Sequence, residues 1–135
     1  MNTRYVLFVF LFVMVIVTSC EKGSGEGGTN TIRGHVIVHD YNGDYSILRD
    51  IYPGMKEDVY IIYGGDYVYG DKFETGDSGQ YEFNYLRAGT YTVYVYSEDS
   101  TDIYGLSAKK IAVKQTVDVS GKHQTVEVPD MIIIK

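Results

Sequence analysis

The chain has one cysteine, two prolines and three alanines (Ala88, Ala108 and Ala112) among its 135 residues. A single thiol excludes a disulfide within the chain and a zinc site built from several cysteines. The shortage of alanine removes the strongest helix former and argues against an all-α fold. The signatures GxSxG, HExxH and GxxxxGK[ST] are all missing, so no catalytic constellation is visible and the expectation is a protein that is not an enzyme. Acids outnumber bases 18 to 12, for a net charge of −6. That balance leaves no broad basic face for nucleic acid or anionic lipid. What the chain has instead is 14 tyrosines, 15 glycines and many valines and isoleucines. This composition suits short strands joined by tight turns.

The N-terminus reads as a targeting segment. Arg4 precedes an apolar run from Tyr5 to Val17, followed by Val17-Thr18-Ser19-Cys20. As a helix this run would span roughly 20 Å, too short for a hydrocarbon core of about 30 Å, so it reads as a signal peptide over residues 1–19. The tetrapeptide resembles the lipobox of bacterial lipoproteins. The resemblance implies that the Cys20 thiol carries a thioether-linked diacylglycerol and, after cleavage, an N-acyl chain. It places the protein in a bacterial cell envelope, anchored by lipid at the outer membrane, with the periplasmic or surface face unassigned. Removing residues 1–19 takes away Arg4 and no acid, so the mature chain is one charge more negative. Residues 20–30 (CEKGSGEGGTN) then read as the lipidated cysteine and a flexible Gly/Ser-rich tether with a reach of about 15–20 Å.

From Thr31 to Lys135 the pattern becomes that of one all-β domain. Ile32, Gly34, Val36 and Val38 alternate with Arg33, His35, Ile37 and His39, which predicts a half-buried first strand. Asp40 to Glu57 reads as a long connection with turn signals at Asn42-Gly43 and Pro53-Gly54. Further strands are predicted over 58–63, 67–75, 80–84 and 90–97, then one or two over 107–119. Strands over 124–128 and 131–134 follow. Seven or so short strands at regular spacing predict a Greek-key β-sandwich.

Two segments carry a family resemblance. Ile32-Arg33-Gly34-His35-Val36 is similar to the opening I-x-G-x-V of carboxypeptidase-regulatory-like domains. Thr75 to Val93 (TGDSGQYEFNYLRAGTYTV) resembles that family's T-D-x-x-G-x-Y-x-F-x-x-L-x-x-G-x-Y-x-V. The resemblance implies a transthyretin-like sandwich, related in fold to Cna-B modules, with a structural or adhesive role. Tyr81, Phe83, Leu86, Tyr91 and Val93 would face the core, and Gly79 would permit a tight turn. Gly76 departs from the family's Asp. The closing segment from Gln124 has no Asn, so the Lys–Asn crosslink of some Cna-B modules is not expected.

Three groups of residues invite a functional reading. Tyr60, Tyr94 and Tyr96 fall opposite the predicted core faces of their strands. Tyr41, Tyr45, Tyr52, Tyr67, Tyr69 and Tyr104 lie in or near loops. Outward tyrosines can stack on sugars or form a protein-binding patch, and they also simply suit sheet surfaces. Asp40, Asn42 and Asp44 resemble the first oxygen ligands of a calcium loop, although Ile51 stands where a bidentate Glu would be needed. Acids from Asp66 to Asp102 in predicted loops would add to such a site if they converged at one end. His35 and His39, four apart on a strand, are roughly 13 Å apart and cannot share an ion without a bend. The expectation is therefore no metal beyond weak calcium and no cofactor beyond the Cys20 lipids. The membrane and a protein or glycan are the expected partners, with no nucleic acid. The protein reads as a non-enzymatic, lipid-anchored scaffold or interaction module, with carbohydrate or calcium binding as the alternative.

Overall fold

The computed structural model describes residues 23–102 and 109–135, which form nine strands and no helix. They are β1 (Glu26–Tyr41), β2 (Leu48–Pro53), β3 (Asp58–Tyr63), β4 (Asp71–Glu74), β5 (Gln80–Leu86), β6 (Gly89–Glu98), β7 (Lys110–Val119), β8 (Thr125–Glu127) and β9 (Met131–Ile134). The signal segment, Cys20 and Tyr104 lie outside the described residues.

The strands form two sheets that pack face to face as an all-β sandwich. In the first, β1 is the spine. Its N-terminal half pairs antiparallel with β5 and parallel with β8, and its C-terminal half pairs antiparallel with β2 and parallel with β9. The partner on one edge changes at Val36, whose N–H donates to Gly79 O and whose carbonyl accepts from Gly54 N–H, each at 2.8 Å. Gly79 is in the left-handed region at φ 76°, and a Cβ there would collide with the Val36 carbonyl oxygen. The turn therefore requires glycine. The second sheet is antiparallel in the order β4-β3-β6-β7.

The core lies between the sheets, as the alternation predicted. Ile32, Val36 and Val38 of β1, Tyr81 and Phe83 of β5, and Met131 and Ile133 of β9 meet Val59 and Ile61 of β3 and Tyr91, Val93 and Val95 of β6. Gly34 is paired with Tyr81 across the sheet, and the ring takes the space a side chain at 34 would fill: a Cβ would stand 2.5 Å from Tyr81 Oη.

Four expectations need correcting. Among the described residues there are nine strands, where seven or so were expected. The connection from Asp40 to Glu57 contains β2, an edge strand exposed at every residue, which has no buried face to reveal it by alternation. The third predicted strand shortens to β4, because Gly64 to Gly70 folds back as a loop whose Gly70 N–H bonds Ile61 O at 2.8 Å. The fourth concerns the tether: β1 begins at Glu26, so residues 26–30 belong to the domain. Side chains from elsewhere supply what these glycines lack. Arg87 donates from Nε to Gly23 O at 2.7 Å and from Nη1 to Glu26 O. The Tyr91 hydroxyl accepts from Gly25 N–H at 2.9 Å and donates to Arg87 O at 2.7 Å. Asn30, 1% exposed, bonds Leu86 O and Gln124 N–H.

Candidate ligand-binding face

The outer surface of the second sheet carries a tyrosine cluster. Val59 and Ile61 point into the core, so Tyr60 between them points out, and the same alternation on β6 turns Tyr94 and Tyr96 outward. The register places Tyr60 directly opposite Tyr94. Their rings stack at 5.0 Å between centroids and 15° between planes. Tyr96 meets Tyr60 and Tyr94 edge-on at 5.8 and 5.6 Å. Tyr69 arrives from the β3–β4 loop and meets Tyr60 edge-on at 4.9 Å. Aromatic pairs in these geometries contribute about 0.5–1.5 kcal/mol beyond the area they bury.

Packing within the cluster divides the roles. Tyr94 is 9% exposed although it points outward, because its neighbours cover it, whereas Tyr96 and Tyr69 are 44% and 51% exposed. Burial raises the Tyr60 and Tyr94 hydroxyls above their ordinary value, with further contributions from Asp58 on Tyr60 and Tyr96 on Tyr94. They remain protonated, and so able to donate a hydrogen bond, throughout the neutral range.

Charged groups frame the rings. Lys72 of β4 stands across from Tyr60 and Lys114 of β7 across from Tyr94, so one cross-sheet row reads Lys72, Tyr60, Tyr94, Lys114. Lys72 pairs with Asp58 at 3.1 Å, and this hydrogen-bonded carboxylate holds the ammonium above its ordinary value. A groove of about 220 Å³ opens beside Tyr60 and Tyr96, lined also by Asp58, Glu74, Lys56 and Lys110. The face thus offers aromatic surface, protonated hydroxyls and carboxylates within one patch. Tyr60, Tyr94 and Tyr96, each expected on the outer face of its strand, are brought together by the pairing of β3 with β6. Tyr69, grouped with the loop tyrosines in the sequence, joins them because the loop from Gly64 to Gly70 folds onto the sheet; the paired glycines at one end and Gly70 at the other were the available signal.

The calcium-loop residues are used differently. Asn42 Oδ1 accepts from Ile47 N–H at 3.0 Å, and Asp44 Oδ1 accepts from Ser46 N–H and Oγ–H at 3.1 and 2.6 Å. The Ser46 hydroxyl, with its backbone N–H, holds the Asp44 carboxyl below its ordinary value. Asp40 sits on β1 opposite Asp50. The Asn42 and Asp44 oxygens shape a turn, and Asp40 stands in the strand before it. The loop acids are split between the two ends of the sheet: Asp66 lies in the β3–β4 loop at the end where β6 begins, while Glu98 closes β6 at the opposite end and Asp99 and Asp102 follow it. Among the described residues no three His, Cys, Asp or Glu side chains are grouped to hold a metal ion. Tyr45 donates to Glu98 at 3.1 Å, apart from the cluster.

Comparison with known proteins places the fold. No family model and no curated protein sequence matches this chain. Among solved structures, it is similar to a Pseudomonas aeruginosa protein provisionally described as carbohydrate-binding, at 15% identity and a TM-score of 0.50, over 81% of this chain and 91% of that one. It is similar also to part of a 9R-lipoxygenase from Cyanothece, at 12% identity and a TM-score of 0.43, over 94% of this chain and 20% of that one. An (S)-allantoin synthase matches at 13% identity and a TM-score of 0.38, over 81% of this chain and 42% of that one. At these identities the likeness to the first concerns the fold alone.

Proposed function

We propose that this protein is a non-enzymatic, lipid-anchored binding module of a bacterial envelope, with the tyrosine face of its second sheet as the contact surface and a saccharide as its ligand. The observation that carries the ligand class is the cluster of Tyr60, Tyr69, Tyr94 and Tyr96, two rings packed and two half open, with a groove of mixed charge at its edge. A sugar presents flat C–H faces beside hydroxyls, and that combination pairs with aromatic faces beside phenols and carboxylates. The anchor follows from the lipobox-like segment ending in Cys20. The carboxypeptidase-regulatory-like resemblance of Thr75 to Val93 agrees with a module that presents a surface and performs no reaction. The carbohydrate-binding description of the Pseudomonas protein is in keeping with this ligand class.

Titration of the chain with a panel of polysaccharides of varied sugar composition, followed by tyrosine fluorescence, tests the reading. A binding isotherm should appear with at least one polymer. Tyr96→Ala and Tyr69→Ala should each weaken it by about tenfold, or 1.4 kcal/mol, in a protein that still unfolds cooperatively. A flat response across the panel would sink the saccharide reading and leave a protein ligand for the same face.

A further inference from the structure

We propose that the end of the sandwich carrying Gly23 is a membrane-contact surface, held against the lipid headgroups by the first residues of the mature chain. The inference rests on lipidation of Cys20 and goes beyond it by fixing how the domain sits. A flexible tether from Cys20 to Asn30 would let the domain wander about 15–20 Å from its anchor. The structure removes most of that freedom. The Arg87 guanidinium grips the carbonyls of Gly23 and Glu26, the Arg87 N–H bonds Gly25 O at 2.8 Å, and Tyr91 Oη receives Gly25 N–H at 2.9 Å. The chain is therefore tied to the domain from Gly23 onward. Three residue steps separate Cys20 from Gly23, and fully extended they cover at most about 11 Å. The headgroup layer of one leaflet is itself about 5–8 Å deep. A lipid on Cys20 thus brings this end of the domain to the membrane surface.

The residues displayed there suit that depth. Tyr63 packs beside Gly25, so the loop after β3 lies at the same end as Gly23. This loop presents Tyr67, fully exposed, and Val68, 72% exposed. Tyr85, 75% exposed and held at φ 59°, stands at the same end, one residue before the Leu86 that pairs with β1. Tyrosine favours the boundary between water and hydrocarbon, where the ring is sheltered and the hydroxyl stays wet. Lys122 lines the cleft beside Gly23 and can meet lipid phosphates. Asp66 precedes Tyr67, and a carboxylate is costly in hydrocarbon, so the contact stops at headgroup depth. Because β3 ends and β6 begins at this end, the strands rise from the membrane and the tyrosine face stands upright on its side.

The test uses the mature chain purified from cells that process lipoproteins and placed in vesicles of phosphatidylethanolamine and phosphatidylglycerol. With Cys20 acylated, Val68→Cys and Asp44→Cys each offer one thiol for a nitroxide, at the near and far ends. The ratio of oxygen to water-soluble nickel-chelate accessibility should be several-fold higher for the label at 68 than for the label at 44, which should resemble one free in water. Equal readings at 68 and 44 on vesicle-bound protein would overturn the contact surface while leaving the anchor intact. A chain that does not sediment with vesicles, with no lipid mass on Cys20, would overturn both. Arg87→Ala, checked for a cooperative unfolding transition, should stay vesicle-bound while the label at 68 shifts toward water; an unchanged reading in a folded Arg87→Ala protein would overturn the role of the grip.

Discussion

Two tyrosines of the core show how much a single oxygen atom decides. Tyr81 and Tyr91 are both fully buried, in facing sheets, and a scale of hydrophobicity would treat them alike. The Tyr91 hydroxyl accepts from Gly25 and donates to Arg87 O, so it ties the N-terminal segment to the turn before β6. The Tyr81 hydroxyl is buried with no hydrogen-bond partner. Burial raises it well above its ordinary value, with the carboxylates of Asp130 and Glu127 adding to the effect, so it stays neutral. A buried hydroxyl without a partner forfeits about 1–3 kcal/mol of hydration, whereas a well-paired one contributes about 0.5–1.5 kcal/mol. The same substitution should therefore have opposite consequences at the two sites. Tyr91→Phe should lower stability by about 1–2 kcal/mol, and Tyr81→Phe should leave it unchanged or raise it by about 1 kcal/mol, as read by denaturant unfolding. A clear loss in Tyr81→Phe would reveal an ordered water or other partner at that hydroxyl.

At the scale of the strand, the tyrosine face depends on register. A shift of one residue between β3 and β6 would turn Tyr60 inward and Val59 outward, and the buried pairs Val59–Val95 and Ile61–Val93 forbid it. The core thus positions the surface. A double-mutant cycle on Tyr60→Ala and Tyr94→Ala should give a coupling energy of about 0.5–1.5 kcal/mol for the stack, and a value near zero would mean that the rings touch without cooperating. Strands with one buried face, such as β3, β5 and β6, were legible because their apolar residues alternate. β2 was not, because all its residues are exposed and its place is set by backbone pairing with β1. For the candidate site, Tyr60, Tyr94 and Tyr96 could be read from alternation, whereas Tyr69 could not. Its position follows from how a loop folds back, and no period in the sequence encodes that. The calcium-like spacing of Asp40, Asn42 and Asp44 was legible as a turn, since oxygen-bearing side chains that bond their own backbone look the same in sequence as those that face an ion.

For the molecule as a whole, the most consequential stretch, residues 23–30, is half glycine. Glycine-rich residues before Thr31 read as a tether because such composition carries no apolar pattern to bury. Their order is supplied from outside, by Arg87, Tyr91 and the β5 backbone, which lie more than fifty residues away in the chain. Asn30 extends the same logic, as its amide bonds Leu86 O and Gly121 O while its oxygen receives Gln124 N–H. One side chain thereby joins the start of β1, the end of β5 and the turn before β8. A chain beginning at Thr31, where composition alone would cut the domain, gives up these bonds and leaves the Leu86 and Gly121 carbonyls and the Tyr91 hydroxyl short of partners. At about 0.5–1.5 kcal/mol for each hydrogen bond, loss of the three Asn30 bonds alone should make the shortened chain at least about 1.5–4.5 kcal/mol less stable than one beginning at Gly23. Domains of this size are stable by only about 5–15 kcal/mol, so that loss should move the urea midpoint far enough to measure in a single pair of unfolding curves. Coincident midpoints would show that residues 23–30 lie on the domain without supporting it.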